Sequence, residues 1–341
     1  MKIEILPRDR VLEIDTDQWR RLAELSLFVN PFYEPWCLVP AIEWLQKEDE
    51  VYIVTAWENN QLIALFPIHV IKSKFGIAYL SLWQHLQCVI CDPLCSDSSK
   101  LSKVFNYVLQ KMNVSMMRIP THSELSYGKK IDTSSVVFSS TRGAISNITD
   151  VKSHLDSLPS RVRLENKRII KRLFKETNAI YSISNTSPNR SWMADYCQLE
   201  HLGWKKKVSG SILSTPEIEQ YYQRIYNNSK DTGRMEFQGI FDGETLLAVS
   251  FRITSHNHAF EMKTSYNERY KKLYPGVVLE ILNLIELSKS KFQFVDSSTS
   301  SDNHLINRLW PEQRNLASSQ YFSRSLSGKL LKLLYRIKNR V

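Results

Sequence analysis

Residues 261–289 read EMKTSYNERYKKLYPGVVLEILNLIELSK. Alternation gives way to helical spacing inside this one stretch, which predicts a strand, a short loop and a helix. Pro275 pre-sets the helical φ at a first-turn position that has no bond to lose. Gly276 lets another group come close to the backbone. From there Val278, Ile281, Leu282 and Ile285 make one apolar face, expected to be buried. The first amides of a helix lack internal partners, and the macrodipole draws phosphate to that end. Lys271 and Lys272 add charge just ahead of it. Two readings share these residues: ordinary capping of a core helix, and a receptacle for something anionic at the helix mouth.

On the preceding strand Glu261 and Lys263 are two apart, so both are expected on one face, with Phe260, Met262 and Thr264 on the other. A carboxylate there can take a proton from an amine nucleophile; a cross-strand ion pair is the plainer reading. Asp296 ends KFQFVD (291–296), which reads as the next strand. An acid at the C-terminal end of a strand lies where ligands collect in many α/β sheets. An Asx turn into SSTSSDN explains the same residue.

The 341 residues suit two domains, with 43% hydrophobic and 23% charged residues, a globular balance. Only 10 glycines argue against several Gly-rich phosphate loops, and a net charge of +10 favours anionic partners. Five cysteines without a regular spacing argue against a disulfide scaffold and for a reducing cytoplasm. No apolar signal core or membrane-spanning run is seen in the sequence. His85, Cys88, Cys91 and Cys95 do not match a common zinc spacing, so buried thiols in a β-like core strand are expected, and no metal.

Residues 51–84 read as an antiparallel meander with Asn-Asn at its first turn, and 235–266 read as a second with Asp-Gly. ENNQLIALF (58–66) matches DGETLLAVS (242–250) at constant offset, Leu62 over Leu246 and Ala64 over Ala248. That points to two copies of one hairpin-and-helix unit. Helices are expected at 103–112, 160–179, 192–202 with Gly203 as cap, and 215–230 with Thr215 as N-cap and Pro216 at the first position. The helix from 160 carries Leu164, Ile169, Ile170, Leu173 and Phe174 as an apolar stripe. Its other faces are basic, through Arg161, Arg163, Lys167, Arg168, Lys171, Arg172 and Lys175. The last fifteen residues, SGKLLKLLYRIKNRV, form a basic amphipathic helix without an acid. That pattern suits an anionic bilayer surface, and equally a helix packed on its own domain.

Six pieces of the chain together resemble a known family: NPFYEPWCLVPAI (30–42), WQHLQCVICDPL (83–94), SRVRLENKRIIKRL (160–173), GWK (203–205), YPG (274–276) and VDSSTSSDNHLINRLWPEQR (295–314). They resemble the CelD-like, cellulose-biosynthesis-type acyltransferases of the GNAT superfamily, relatives of the Fem-type aminoacyltransferases. The resemblance implies an α/β (α+β) fold of two tandem GNAT-like units, each a mixed, largely antiparallel sheet flanked by helices. The expected division is an N-terminal unit over 1–159, an acyltransferase unit over 160–325, and the basic helix over 326–341.

The resemblance further implies an acyl-CoA co-substrate, acetyl-CoA in the simplest case, with its pyrophosphate near Tyr274, Pro275, Gly276, Val277 and Lys271. Of the usual GNAT phosphate loop, only Gly276 remains here. The expected roles are Glu261 as base or substrate orienter, Lys263 as electrostatic stabiliser, and Asp296 as a second acid toward the amine. Trp204 and Lys205 are expected in the acceptor pocket. The activity implied is N-acyl transfer to a small-molecule or glycan-linked amine, such as an amino sugar in surface-polysaccharide assembly. The place implied is the cytoplasm, with peripheral contact at the inner membrane face through 327–341. A Fem-like aminoacyl-tRNA-dependent transferase and a non-catalytic binding protein with a degenerate GNAT unit stay open; no stretch reads as the long helical hairpin that Fem-type relatives carry.

Overall fold

The computed structural model describes residues 1–73, 76, 78–123, 135–184, 190–208 and 210–338. Lys74 and Phe75 of the KSKFG join, Arg340, and the side chains of Trp204 and Lys338 lie outside the described residues. The chain forms two compact units, one of residues 1–140 and 315–341, the other of residues 141–314. The expected division at 159/160 falls between two helices of the second unit, and the chain rejoins the first unit at 315.

In chain order the first stretch holds β1 (Lys2–Pro7), α1 (Thr16–Leu25), α2 (Pro35–Trp44), β2 (Val51–Glu58), β3 (Gln61–Lys72), β4 (Ala78–Leu82), the short β5 (Leu94–Cys95), α3 (Leu101–Lys111) and β6 (Met116–Ser123). The second holds β7 (Ser135–Ile145), α4 (Val151–Ser157), α5 (Ser160–Glu176), β8 (Ala179–Ile183), α6 (Trp192–Leu202), α7 (Trp204–Lys207), α8 (Pro216–Ser229), β9 (Met235–Asp242), β10 (Thr245–Ser255), β11 (His258–Tyr266), α9 (Pro275–Leu287), β12 (Phe294–Asp296) and α10 (His304–Leu309). Then follow β13 (Glu312–Phe322) and α11 (Leu326–Lys338).

The internal repeat extends to whole sheets. The first unit runs β1-β2-β3-β4-β6-β13, and the second runs β8-β9-β10-β11-β12-β7. In both, the first three pairings are antiparallel, the fourth is parallel and the last is antiparallel. Each hairpin carries a bulge at the same place: Ile63 is skipped between Leu62 and Ala64, and Leu247 between Leu246 and Ala248. The turns obey their chemistry, with Asn59 and Asn60 at φ of 50° and 61° and Gly243 at 56°. The closing strands are exchanged in chain order. β13 follows the second unit's strands yet pairs with β6, while β7 follows β6 and pairs with β12.

In the second unit α9 lies between the sheet and the helices α4 and α5. Its buried surface is therefore wider than the single stripe expected. Leu279, Leu284 and Leu287 join Val278 and Ile281 in the core, while Ile285 is left partly exposed. α5 contributes Ile169 and Leu173; Leu164 is 67% exposed and stands outside the stripe read from the sequence. The helix at 216–229 starts behind Thr215 with Pro216 at its first position, although the Thr215 side chain makes no cap bond. Residues 85–93 form no strand, against the β-like reading, but His85, Cys88, Cys91 and Cys95 are all buried. Burial pushes the Cys95 thiol up to about 12 and the His85 imidazole down to about 3.

The end of β12 is fixed by charge. Asp296 is fully buried. Arg142 Nε lies 2.8 Å from its Oδ1, and Arg314 Nη1 pairs with its Oδ2. Ser298 N–H donates to Oδ1 at 2.8 Å, closing an Asx turn. Removing one member of such a cluster leaves a buried charge uncompensated. Asp296→Asn should lower the unfolding free energy by roughly 3–5 kcal/mol, measured by guanidinium denaturation, whereas the same change at exposed Asp231 should stay within about 0.5 kcal/mol.

Candidate active site

β11 and β12 pair in parallel at His258–Phe294, Ala259–Val295 and Phe260–Asp296, and no further. β11 continues to Tyr266, whereas β12 stops at Asp296. The strands part, and a cavity of about 520 Å³ opens beyond the last pair. One wall is Glu261 to Thr264 and the other is Ser297 and Thr299. Tyr274 to Val277 at the start of α9 border it, with Glu280 one turn deeper and Ile306 and Trp310 on a further side.

The expectation that Glu261 and Lys263 share a face is overturned by a bulge. Phe251 pairs with Lys263 and the next residue, Arg252, pairs with Glu261, so Met262 is an extra residue. A bulge places residues two apart on opposite faces. Glu261 points to the α9 side, where Arg252 and Glu280 act on it. Lys263 points to the α6 side, 6.0 Å from the Tyr222 ring, and burial lowers its pKa despite nearby Glu200.

Glu261 is a carboxylate held in a dry place. Burial lifts its pKa to about 7; Arg252 opposes the lift, and Glu280 and Glu236 add to it. Arg252 Nε is 3.0 Å from Oε1 in an ion pair without hydrogen-bond geometry, and that oxygen is buried. Glu280 is also raised by burial, although Trp310 Nε1 donates to its Oε1 at 2.7 Å. Sequence reading passed over Glu280, Arg252 and Trp310. The signal was there for the first two: each is a lone charge inside an otherwise apolar run, LEILNL and AVSFRI.

The helix mouth is open. Tyr274 takes a left-handed conformation, φ 53° and ψ 45°, and caps α9 through its carbonyl. That carbonyl accepts from Val277 N–H and Val278 N–H, each at 3.0 Å. Pro275 has no N–H to satisfy, and the Gly276 amide, in the first turn of the helix, has no backbone partner among the described residues. A Cβ on Gly276 would come within 3.3 Å of the Tyr266 ring, so a larger residue would fill the mouth. The expected donor-site residues Lys271, Tyr274, Pro275, Gly276 and Val277 are thus brought together, with Glu261, around one cavity. Asp296 is not brought there; its carboxylate is spent on Arg142 and Arg314. Lys205 binds Glu200 at 2.8 Å and the Thr264 carbonyl at 3.1 Å, touching the cavity wall from behind. The Trp204 side chain lies outside the described residues.

Residues 161–303 match the family described as the acetyltransferase (GNAT) domain. No curated protein matches the sequence. Solved structures of the same fold include FemX, at 8% identity over 97% of this chain and 100% of that one, TM-score 0.58. L-PGS from Bacillus licheniformis aligns at 10% identity over 94% and 96%, TM-score 0.55. A conserved protein from Bacteroides thetaiotaomicron aligns at 8% over 91% and 98%, TM-score 0.52. At such identities the likeness is one of fold. The domain match, on a mixed sheet whose central parallel pair parts beside a helix N-terminus, defines the second unit as a GNAT-type acyltransferase domain.

Glu261 should titrate near pH 7. Its folded pKa lies above the ordinary 4.5. Its contribution to stability is therefore complete below about 4.5 and is lost as pH rises through about 7. Glu261→Gln should flatten the fall in melting temperature across that window, and should remove one carboxylate band titrating near 7 from infrared difference spectra.

Proposed function

We propose that the second unit moves an acyl group, acetyl in the simplest case, from acyl-CoA to the amino group of a small-molecule or glycan-linked acceptor. One observation carries the reading: an ionisable carboxylate and an open helix mouth line the same cavity. The Gly276 amide and the Lys271 ammonium are the groups that would hold the donor's diphosphate, with Tyr274, Pro275 and Val277 shaping the wall around it. When bound, acyl-CoA would supply a thioester carbonyl open to direct attack by an amine, the C–S bond breaking as the amide forms and coenzyme A leaving as its thiol.

Glu261 takes the proton from the ammonium, so that nitrogen attacks as a free base. A carboxyl titrating near neutrality suits that task better than an ordinary glutamate, because it can accept a proton at working pH and release it again. Beyond Phe260 the edge of β11 that faced β12 has no neighbouring strand among the described residues. Its amides are donors at hand for charge developing on the carbonyl oxygen. Lys205 would bear on the acceptor only through Thr264, while Lys263 borders the cavity along β11 and turns its ammonium toward Tyr222. The acceptor's identity as an amino sugar in surface-polysaccharide assembly is proposed from the CelD-like resemblance alone. Action in a reducing cytoplasm is supported by the free, buried thiols of Cys88, Cys91, Cys95 and Cys197.

An aminoacyl-tRNA donor is the second reading. The exposed basic residues of α5, among them Arg161, Lys167, Arg168 and Lys171, favour it. Thermal shift separates the two: acetyl-CoA should raise the melting temperature of the chain, and aminoacyl-tRNA should not. Gly276→Trp should abolish that shift. Glu261→Gln should keep the shift yet lower kcat by about a hundredfold to ten-thousandfold in an amine-acylation assay. A shift confined to tRNA would replace the acyl-CoA reading, and binding of acetyl-CoA with no effect of Glu261→Gln on phenotype or turnover would reduce the unit to a binding protein.

A further inference from the structure

Helix α11 rests on the first unit by one face only. Tyr335 packs at a tilt against Phe322, ring centroids 5.9 Å apart, and the Ser327 hydroxyl shares a hydrogen bond with Ser115 at 2.8 Å. Gly328 is buried against Ser323, where any Cβ would collide. Leu331 and Tyr335 complete this inner face, half-buried. The opposite side is apolar and bare: Leu326 is 86% exposed, Leu330 58%, Leu333 55%, Leu334 54% and Ile337 56%. Projected at about 100° per residue, these five fall within an arc of about 100°. Lys329, Lys332 and Arg336 fall in the arc between the apolar side and the inner face. No acidic residue follows Glu312 in the sequence.

Large apolar side chains are scattered singly on ordinary surfaces; a contiguous stripe marks a contact. Charge chooses the partner. A second copy of the helix would face its own cations with no acid to pair, and a neutral protein groove would leave the basic flank unused. An anionic bilayer takes both parts: leucines enter the boundary between headgroups and acyl chains, and the flanking cations meet lipid phosphates. The three arcs are ordered as such a helix requires, with apolar toward the lipid, basic at the water line and the inner face on the protein. At the start of α11, Lys103 and Arg324 border a shallow polar cavity and extend the positive surface. No helix among the described residues is long and apolar enough to cross a membrane, so the contact would be at the surface.

We infer that α11 docks the protein on an anionic lipid surface, lying in the interface through Leu326, Leu330, Leu333, Leu334 and Ile337. The test is co-sedimentation of the full chain with vesicles of phosphatidylcholine, alone or mixed with phosphatidylglycerol. The chain should bind the mixed vesicles and be released by salt, and should bind phosphatidylcholine far more weakly. Each charge removed lowers partition about fivefold, so Lys329→Glu, Lys332→Glu and Arg336→Glu together should cost more than a hundredfold. Leu330→Ser, Leu333→Ser and Leu334→Ser together should abolish binding, with an unchanged circular dichroism spectrum and melting temperature because these side chains touch solvent. Failure of the native chain to bind mixed vesicles overturns the inference. So does binding that ignores the leucine changes, or a dimer in sedimentation velocity that those changes dissolve.

Discussion

The second unit depends on where two parallel strands stop running together. β11 and β12 share three pairs and separate at Phe260 and Asp296. Parallel pairing could continue only if the chain after Asp296 stayed in the sheet. Instead the carboxylate accepts a hydrogen bond from the amide two residues on, and arginines from β7 and β13 grip its oxygens. Buried charge is expensive, and it is retained here in a cluster whose signs sum to a cationic pocket around one acid. The cost is met at the point where the sheet must open. In the first unit the corresponding parallel pair, β4 with β6, is followed by chain that stays close: Cys91 N–H donates to the Thr121 carbonyl at 2.7 Å. Buried Trp83, His85, Cys88 and Cys91 fill the segment that follows β4. The same architecture thus yields an opening in one copy and a packed filling in the other.

A run of buried polar groups crosses the sheet face beneath α9 and ends on Glu261. Tyr181 O–H donates to Asn283, Asn283 donates to Ser250, and Ser250 donates to Gln238. Gln238 donates to Glu236, which faces Arg252, which faces Glu261. Such connected groups rigidify what they hold. They also explain why a lone acid can sit in a dry wall: its neighbour's charge offsets part of the desolvation, and the remainder appears as a pKa near neutrality. The protein gives up stability in the pH range where that carboxylate is ionised and useful, a trade common at reactive sites.

Much of the fold could be read from local chemistry. Asn-Asn and Asp-Gly fixed the hairpins, Pro275 and Gly276 marked the start of α9, and the offset between the two hairpins disclosed the duplication. The misreadings share a cause. A bulge inserts one residue into a strand without changing its composition, so nothing in SFRITS or EMKTS warns that Glu261 and Lys263 will diverge. Asp296 looked like a site acid because its arginines lie far off in sequence, at 142 and 314. Glu280 went unread because an apolar helix with one acid resembles a core helix with one exposed position. The assembly of Lys271, Gly276 and Glu261 around one space was legible because those residues are near each other along the chain.

The exchanged closing strands have a consequence for how the two copies can have come to coexist. If they arose by duplication, the ancestral single copy would have supplied its own sixth strand. In the present chain each sheet ends on a segment encoded after the other half's strands. A cut of the chain between β7 and β8 would leave β6 and β12 each with a raw hydrogen-bonding edge, the kind that recruits neighbouring molecules.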